Sequence, residues 1–153
     1  MKSLQNYTIK KKNVLLRVDL NVPVINGKII DDTRLLNIRS TIEDLVNGKN
    51  KIFLISHFGR PKGKFIKKFS LEFLIPILKR IFKIKNISFL NSYLNKEISE
   101  HIKNMKYGEI CLLENVRFYK YEESNDSKFS RNIAKNFDFY VNDAFSCSHR
   151  SHS

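Results

Sequence analysis

Residues 51–56, Lys51-Ile52-Phe53-Leu54-Ile55-Ser56, form a continuous apolar run of strand length. A similar run, Val14-Leu15-Leu16-Arg17-Val18, comes earlier. Between them Leu35, Ile38, Ile42, Leu45 and Val46 recur at helical spacing behind the cap candidates Asp31, Asp32 and Thr33. Gly48 marks the end of that helix. Strand, helix, strand with buried-type strands is the unit of a parallel sheet.

The alternation continues outward. Ser70 caps an apolar helical stretch from Leu71 to Phe82, which Pro76 should loosen or kink. Residues 87–90 form a weaker strand, and Glu97 to Met105 reads as a surface helix closed by Gly108. Residues 109–113 form another strand. Asp126 can cap a helix bearing Phe129, Ile133 and Ala134, and Phe137 to Val141 is the last strand. Val24-Ile25 and Ile29-Ile30 flank an Asn26-Gly27 turn and form a hairpin excursion. The expected fold is α/β, a doubly wound, mostly parallel sheet with helices on both faces.

The chain of 153 residues is one domain's worth. Its 12 Phe and 6 Tyr oppose a disordered reading, and 5 Gly with 3 Pro exclude low-complexity classes. Cys111 and Cys147 have no metal or redox spacing; the first is expected as a packed strand residue and the second as a loop thiol. No signal peptide or membrane span is visible, so the expected compartment is the cytoplasm. The net charge of +13 favours polyanionic or multiply phosphorylated partners. Lysines scattered on solvated faces, or an AT-rich coding bias, give the same surplus, so charge alone decides nothing.

Ligands of open parallel sheets bind beyond the carboxyl ends of the strands. There the sequence supplies Asp19, Asn21 and Pro23, then His57, Gly59, Arg60, Pro61, Lys62 and Gly63. Later strands supply Glu114, Asn115 and Arg117, then Asn142, Asp143, His149 and Arg150. Arg34 lies in the first turn of the helix after the hairpin. Arginine matches phosphate and carboxylate oxygens bidentately, so several at one edge suggest a small, multiply anionic ligand. Gly59 to Lys64 is not a P-loop, because it is too short between its glycines and lacks the magnesium-binding hydroxyl. Gly59-Arg60-Pro61 resembles an AT-hook core but follows a buried strand, and His149 with His152 makes only a weak metal pair. No metal site is expected.

Four motifs carry a resemblance. Leu15-Leu16-Arg17-Val18-Asp19-Leu20-Asn21-Val22-Pro23 resembles the signature of the phosphoglycerate kinase family. Residues 56–63 (Ser56-His57-Phe58-Gly59-Arg60-Pro61-Lys62-Gly63) and 112–118 (Leu112 to Phe118) resemble its second and third motifs. Val141-Asn142-Asp143-Ala144-Phe145 with His149-Arg150 resembles its fourth. The resemblance runs from about Asn13 to the last residue, with the motifs in order.

What it implies is the Rossmann-like N-terminal, glycerate-binding domain of a kinase that interconverts 1,3-bisphosphoglycerate and MgADP with 3-phosphoglycerate and MgATP in glycolysis. It places Asp19, Leu20, Asn21, Arg34, His57, Phe58, Gly59, Arg60, Arg117 and Arg150 along the substrate, with Arg34 as the catalytic residue. Asp19 and Asn21 would meet the glycerate hydroxyl region; His57, Arg60, Arg117 and Arg150 would surround the far phosphate. It also implies a nucleotide-binding C-terminal domain that residues 1–153 do not contain, so no cofactor is expected on this chain and no kinase activity from it alone. The last strand and hinge helix of the N-terminal domain are missing too, and Ser148 and Ser151 stand where the family usually has alanines. The full enzyme would be a monomer. Two rival expectations are a nucleic-acid-binding module using the basic loop Arg60 to Lys68, and a non-functional remnant.

Overall fold

The computed structural model describes residues 9–119 and 131–143. Its elements in chain order are β1 (Asn13–Arg17), β2 (Val24–Ile25), β3 (Lys28–Ile29), α1 (Thr33–Asn37), α2 (Arg39–Asn47) and β4 (Lys51–Ile55). There follow α3 (Ile75–Phe82), β5 (Ile87–Leu90), α4 (Asn95–Asn104), β6 (Ile110–Leu113) and β7 (Phe139–Asn142). Five strands form one sheet in the order β5-β6-β4-β1-β7, every pairing parallel.

Side chains alternate across a strand, and here both faces are buried. Val14, Leu16, Ile52, Leu54, Ile110 and Leu112 pack on one face against Leu35 of α1, Ile42 and Leu45 of α2, and Leu78 and Ile81 of α3. Leu15, Phe53, Ile55, Cys111 and Leu113 pack on the other against Ile98 and Ile102 of α4 and against Ile133. Two-sided burial is why these strands read as unbroken apolar runs. Fully burying one such side chain stabilises by roughly 1.5–3 kcal/mol. The doubly wound, parallel α/β fold expected from the sequence is present.

Four details differ from expectation. The helix expected after Asp31 breaks at Ile38, whose ψ of −3° separates α1 from α2. Asp32 makes no side-chain cap; the Asp31 carboxylate accepts instead from the Thr33 N–H and hydroxyl. Pro76 kinks nothing, because α3 begins only at Ile75, where a missing N–H costs no intrahelical bond. The stretch before it is a 3-10 turn over Glu72–Leu74. The helix expected from Glu97 to Met105 starts two residues earlier and ends at Asn104.

The hairpin is as expected: β2 pairs antiparallel with β3, and Asn26 (φ 53°) and Gly27 (φ 76°) both hold the left-handed conformation that such a two-residue turn needs. Cys111 is fully buried, and burial pushes its thiol up to about 12. Asp126, Phe129, Cys147 and the His149–His152 pair lie outside the described residues.

Candidate functional site

Strand order decides which loops meet. β6, β4, β1 and β7 are consecutive neighbours, and all run the same way. The segments after their carboxyl ends therefore share one edge of the sheet. They carry Glu114 to Arg117, His57 to Arg60, Asp19 to Asn21, and Asn142 with Asp143. β5, which leads to none of the expected site residues, is displaced to the far edge.

The β1 segment is tied down by its own polar atoms. The Asn21 N–H donates to Asp19 Oδ1 (3.0 Å), and Arg34 Nη1 donates to the same oxygen (3.2 Å) and to the Asn21 carbonyl (2.5 Å). Arg34 thus crosses from α1 to the end of β1. Its side chain keeps 46% of its exposure, so this surface ion pair orients the guanidinium without hiding it. Asn21 Oδ1 accepts the Gly59 N–H (3.1 Å), joining the β1 and β4 loops.

Leu20 and Phe58 present no side chain to this edge. Both side chains sit in the core. The Leu20 N–H donates to Ser56 Oγ (3.0 Å), and its carbonyl accepts from Val22. These residues set the backbone path between the exposed ones.

The β4 loop is held from β6. Asn115, wholly buried, caps the 3-10 turn Val116–Phe118 by accepting from the Arg117 N–H. The Val116 N–H donates to the Ser56 carbonyl (3.0 Å), and Arg117 Nη1 donates to the Gly59 carbonyl (3.4 Å). Arg60, the next residue in this loop, is exposed.

His57 reports the field at the centre. Burial pushes its imidazole below the ordinary histidine value. The Arg117 guanidinium pushes it further, Asp19 pulls it back, and Arg17 and Arg34 add smaller downward pushes. An imidazole whose charged form is disfavoured by burial and by the nearby guanidiniums is a setting that favours an arriving anion. Arg17 was not among the expected site residues, because it reads as part of the apolar run Val14 to Val18. A charge inside a run otherwise buried on both faces was the available signal.

Arg150 and His149 lie outside the described residues. Asn142 and Asp143 are described; the Asp143 N–H donates to the Arg17 carbonyl (2.7 Å), which fixes the end of β7 beside β1. A cleft of about 980 Å³ lies next to this edge, between the hairpin and the loop over residues 58–76. Asn21, Phe58 and Gly59 line it, but none of the arginines does.

The loop from Gly59 to Lys64 does not fit nucleotide phosphates. Its Gly59, Gly63 and Lys64 N–H groups are spent on Asn21 Oδ1 and on the Arg117 and Pro61 carbonyls, so they form no phosphate cradle. Among the described residues, no group of three or more His, Cys, Asp or Glu side chains is placed to hold a metal ion. Likewise, none of the described helices is long and apolar enough to cross a membrane.

Comparison with known proteins agrees with the geometry. A family profile for phosphoglycerate kinase matches residues 4–153. Phosphoglycerate kinase of Wolbachia pipientis (subsp. Culex pipiens, strain wPip) is 46% identical over 151 residues, covering 99% of this chain and 38% of that protein. That of Dictyoglomus turgidum is 44% identical, covering 98% of this chain and 37% of the relative. Among solved structures, phosphoglycerate kinase from Pyrococcus horikoshii OT3 superposes with a TM-score of 0.80 at 31% identity, over 99% of this chain and 38% of that one. The Coxiella burnetii enzyme gives 0.78 at 34% identity, over 93% of this chain and 35% of that one. The chain therefore spans little more than a third of the length of these relatives. With the family profile matching residues 4–153 and a solved member of the family superposing over 99% of the chain, this chain belongs to the phosphoglycerate kinase family.

Proposed function

We propose that this chain supplies the glycerate-binding half of a phosphoglycerate kinase and binds 3-phosphoglycerate or 1,3-bisphosphoglycerate at the arginine edge. The observation that carries this reading is the meeting of the Asp19–Asn21, His57–Arg60 and Arg117 segments at one sheet edge, where Asp19 holds the Arg34 guanidinium. Asp19 accepts from the glycerate hydroxyl. His57, Arg60, Arg117 and Arg150 surround the far phosphate. Asn21 holds the loop that carries Gly59 and Arg60.

In the reaction, the bond between the acyl oxygen and the transferred phosphorus breaks, and a new bond forms to the terminal phosphate oxygen of ADP. The carboxylate of 3-phosphoglycerate is left behind. Such transfer requires positioning and neutralisation of charge rather than covalent help from the protein. Arg34 is the catalytic residue: Asp19 aims its half-exposed guanidinium at the phosphoryl group in flight. Magnesium and nucleotide chemistry come from the part of the family's length that this chain does not span, so the chain alone binds without turning over. Its setting is glycolysis in the cytoplasm, and the whole enzyme acts as a monomer. The family assignment leaves a nucleic-acid role for the loop from Arg60 to Lys68 without support.

The experiment is a calorimetric titration of 3-phosphoglycerate into the 153-residue chain and its Arg117→Ala variant. Saturable binding that the variant weakens supports the reading. Its absence at millimolar ligand in a folded chain refutes it.

A further inference from the structure

Asn115 touches no exposed surface, yet every hydrogen-bonding position of its side-chain amide is in use. Its Oδ1 accepts from the Phe58 N–H (3.2 Å) and the Arg117 N–H (3.0 Å). Its Nδ2 donates to the Phe58 carbonyl (2.6 Å) and the Phe69 carbonyl (2.9 Å). One amide thereby fastens together three segments: the loop after β4, the 3-10 turn Lys67–Phe69, and the turn that carries Arg117. The neighbouring Glu114 braces the same assembly. Its carboxylate accepts from the Ser70 hydroxyl (2.7 Å) and the Leu71 N–H (2.9 Å), and also from the Asn115 N–H (2.8 Å).

We infer that Asn115 is a positioning residue for the anion site, setting the separation between His57-Phe58-Gly59-Arg60 and Arg117 without touching the ligand. The inference rests on the proposed glycerate-binding reading. The physical argument is pre-organisation: two cationic segments from different strands must sit at a fixed distance before the anion arrives, or binding must supply the ordering. Asn115 is the only side-chain amide among the described hydrogen bonds that holds both at once. An aliphatic side chain could fill its volume but would leave the buried Phe58 N–H and carbonyl and the part-buried Phe69 carbonyl and Arg117 N–H without this partner.

Asn115→Asp tests this with a nearly isosteric change. The new oxygen replaces Nδ2 and faces the Phe58 and Phe69 carbonyls. Ionised, it repels both; protonated, it donates to one of them. Burial raises the pKa of such a carboxyl. The variant should therefore bind 3-phosphoglycerate about tenfold more weakly than wild type near neutral pH, the scale of one lost charge-assisted contact. The wild-type to variant affinity ratio should shrink as pH is lowered. A role confined to stability would lower the melting temperature and leave the affinity of the folded chain equal to wild type at every pH.

A second measurement needs no variant: the Asn115 side-chain amide resonances should shift with the same saturation curve as the Gly59 and Arg117 amides. Equal affinity of folded Asn115→Asp across pH, or a silent Asn115 amide while Arg117 responds, overturns the inference. If wild type itself binds no 3-phosphoglycerate, the functional reading falls and the inference falls with it; if wild type binds and the variant binds equally, only the inference falls.

Discussion

A β-carbon on Gly59 would lie 2.4 Å from Cδ1 of the Phe69 ring, and Gly59 itself holds a φ of +62°. The ring cannot retreat freely, because the Phe69 carbonyl is bound by Asn115 and its ring packs edgewise on Phe58. The loop that brings Arg60 to the site thus passes a point where only a bare backbone fits. Gly59→Ala should destabilise the chain by about 1–3 kcal/mol through overpacking. It should also weaken phosphate binding, because the Gly59 N–H must leave Asn21 Oδ1. Urea unfolding with a parallel phosphate titration checks both; unchanged stability would mean the loop has slack that this geometry denies.

Arg117 and Arg34 should fail differently. Arg117 is fixed by the capped turn; on the proposed reading Arg117→Ala should weaken 3-phosphoglycerate binding by about tenfold to a hundredfold, the equivalent of one charge-assisted contact. Arg34→Ala should matter most to turnover, because charge develops between the two substrates only in the transition state. The test is steady-state kinetics on this chain joined to the remainder of a family member. The expected result is a fall in kcat for Arg34→Ala and a rise in KM for Arg60→Ala. Equal effects on kcat would remove the special role given to Arg34.

Acid should destabilise the chain through its histidines. Burial holds the His57 and His101 imidazoles below the ordinary value of 6.5. Between those lowered values and 6.5 the unfolded chain binds more protons, so stability rises with pH across that window and is lost as pH falls through it. Below the folded values the full penalty is present. His57→Gln should flatten part of the slope of melting temperature against pH. Bound phosphate should also flatten it, because an anion beside His57 favours the charged ring. An unchanged slope in His57→Gln would contradict both the burial of the imidazole and its place beside Arg117.

Cys111 should be inert. Its thiol is wholly buried, and burial pushes it up to about 12, leaving almost no thiolate at neutral pH. In a Cys147→Ser background, iodoacetamide should modify the unfolded chain and spare the folded one. Rapid labelling under native conditions would show that the face formed by Phe53, Ile55 and Leu113 opens.

The sheet was legible because parallel strands buried on two faces leave unbroken apolar runs, as in Lys51 to Ile55. The gathering of Asp19, His57 and Arg117 at one edge was legible because each follows a strand and a parallel sheet sends its strand ends to one side. What stayed hidden depends on contacts distant in sequence. The Ser70 hydroxyl looked like a helix cap; it accepts the Glu72 N–H before a 3-10 turn and also donates to Glu114, 44 positions away. Asn115 looked like one more polar group beyond a strand, and only the packed loops reveal its four partners. Arg17 was disguised by its apolar neighbours. The break at Ile38 is a backbone event that the helical periodicity runs straight through.

Four neighbouring strand ends meet at one edge of the sheet, and the proposed anion site lies there. The most direct measurement is an amide chemical-shift titration of the chain with 3-phosphoglycerate. The predicted result is saturable shifts gathered at Asn21, His57, Gly59 and Arg117, with the far edge around β5 silent. Shifts centred elsewhere, such as the cleft between the hairpin and residues 65–76, or no shifts at millimolar ligand, would contradict it.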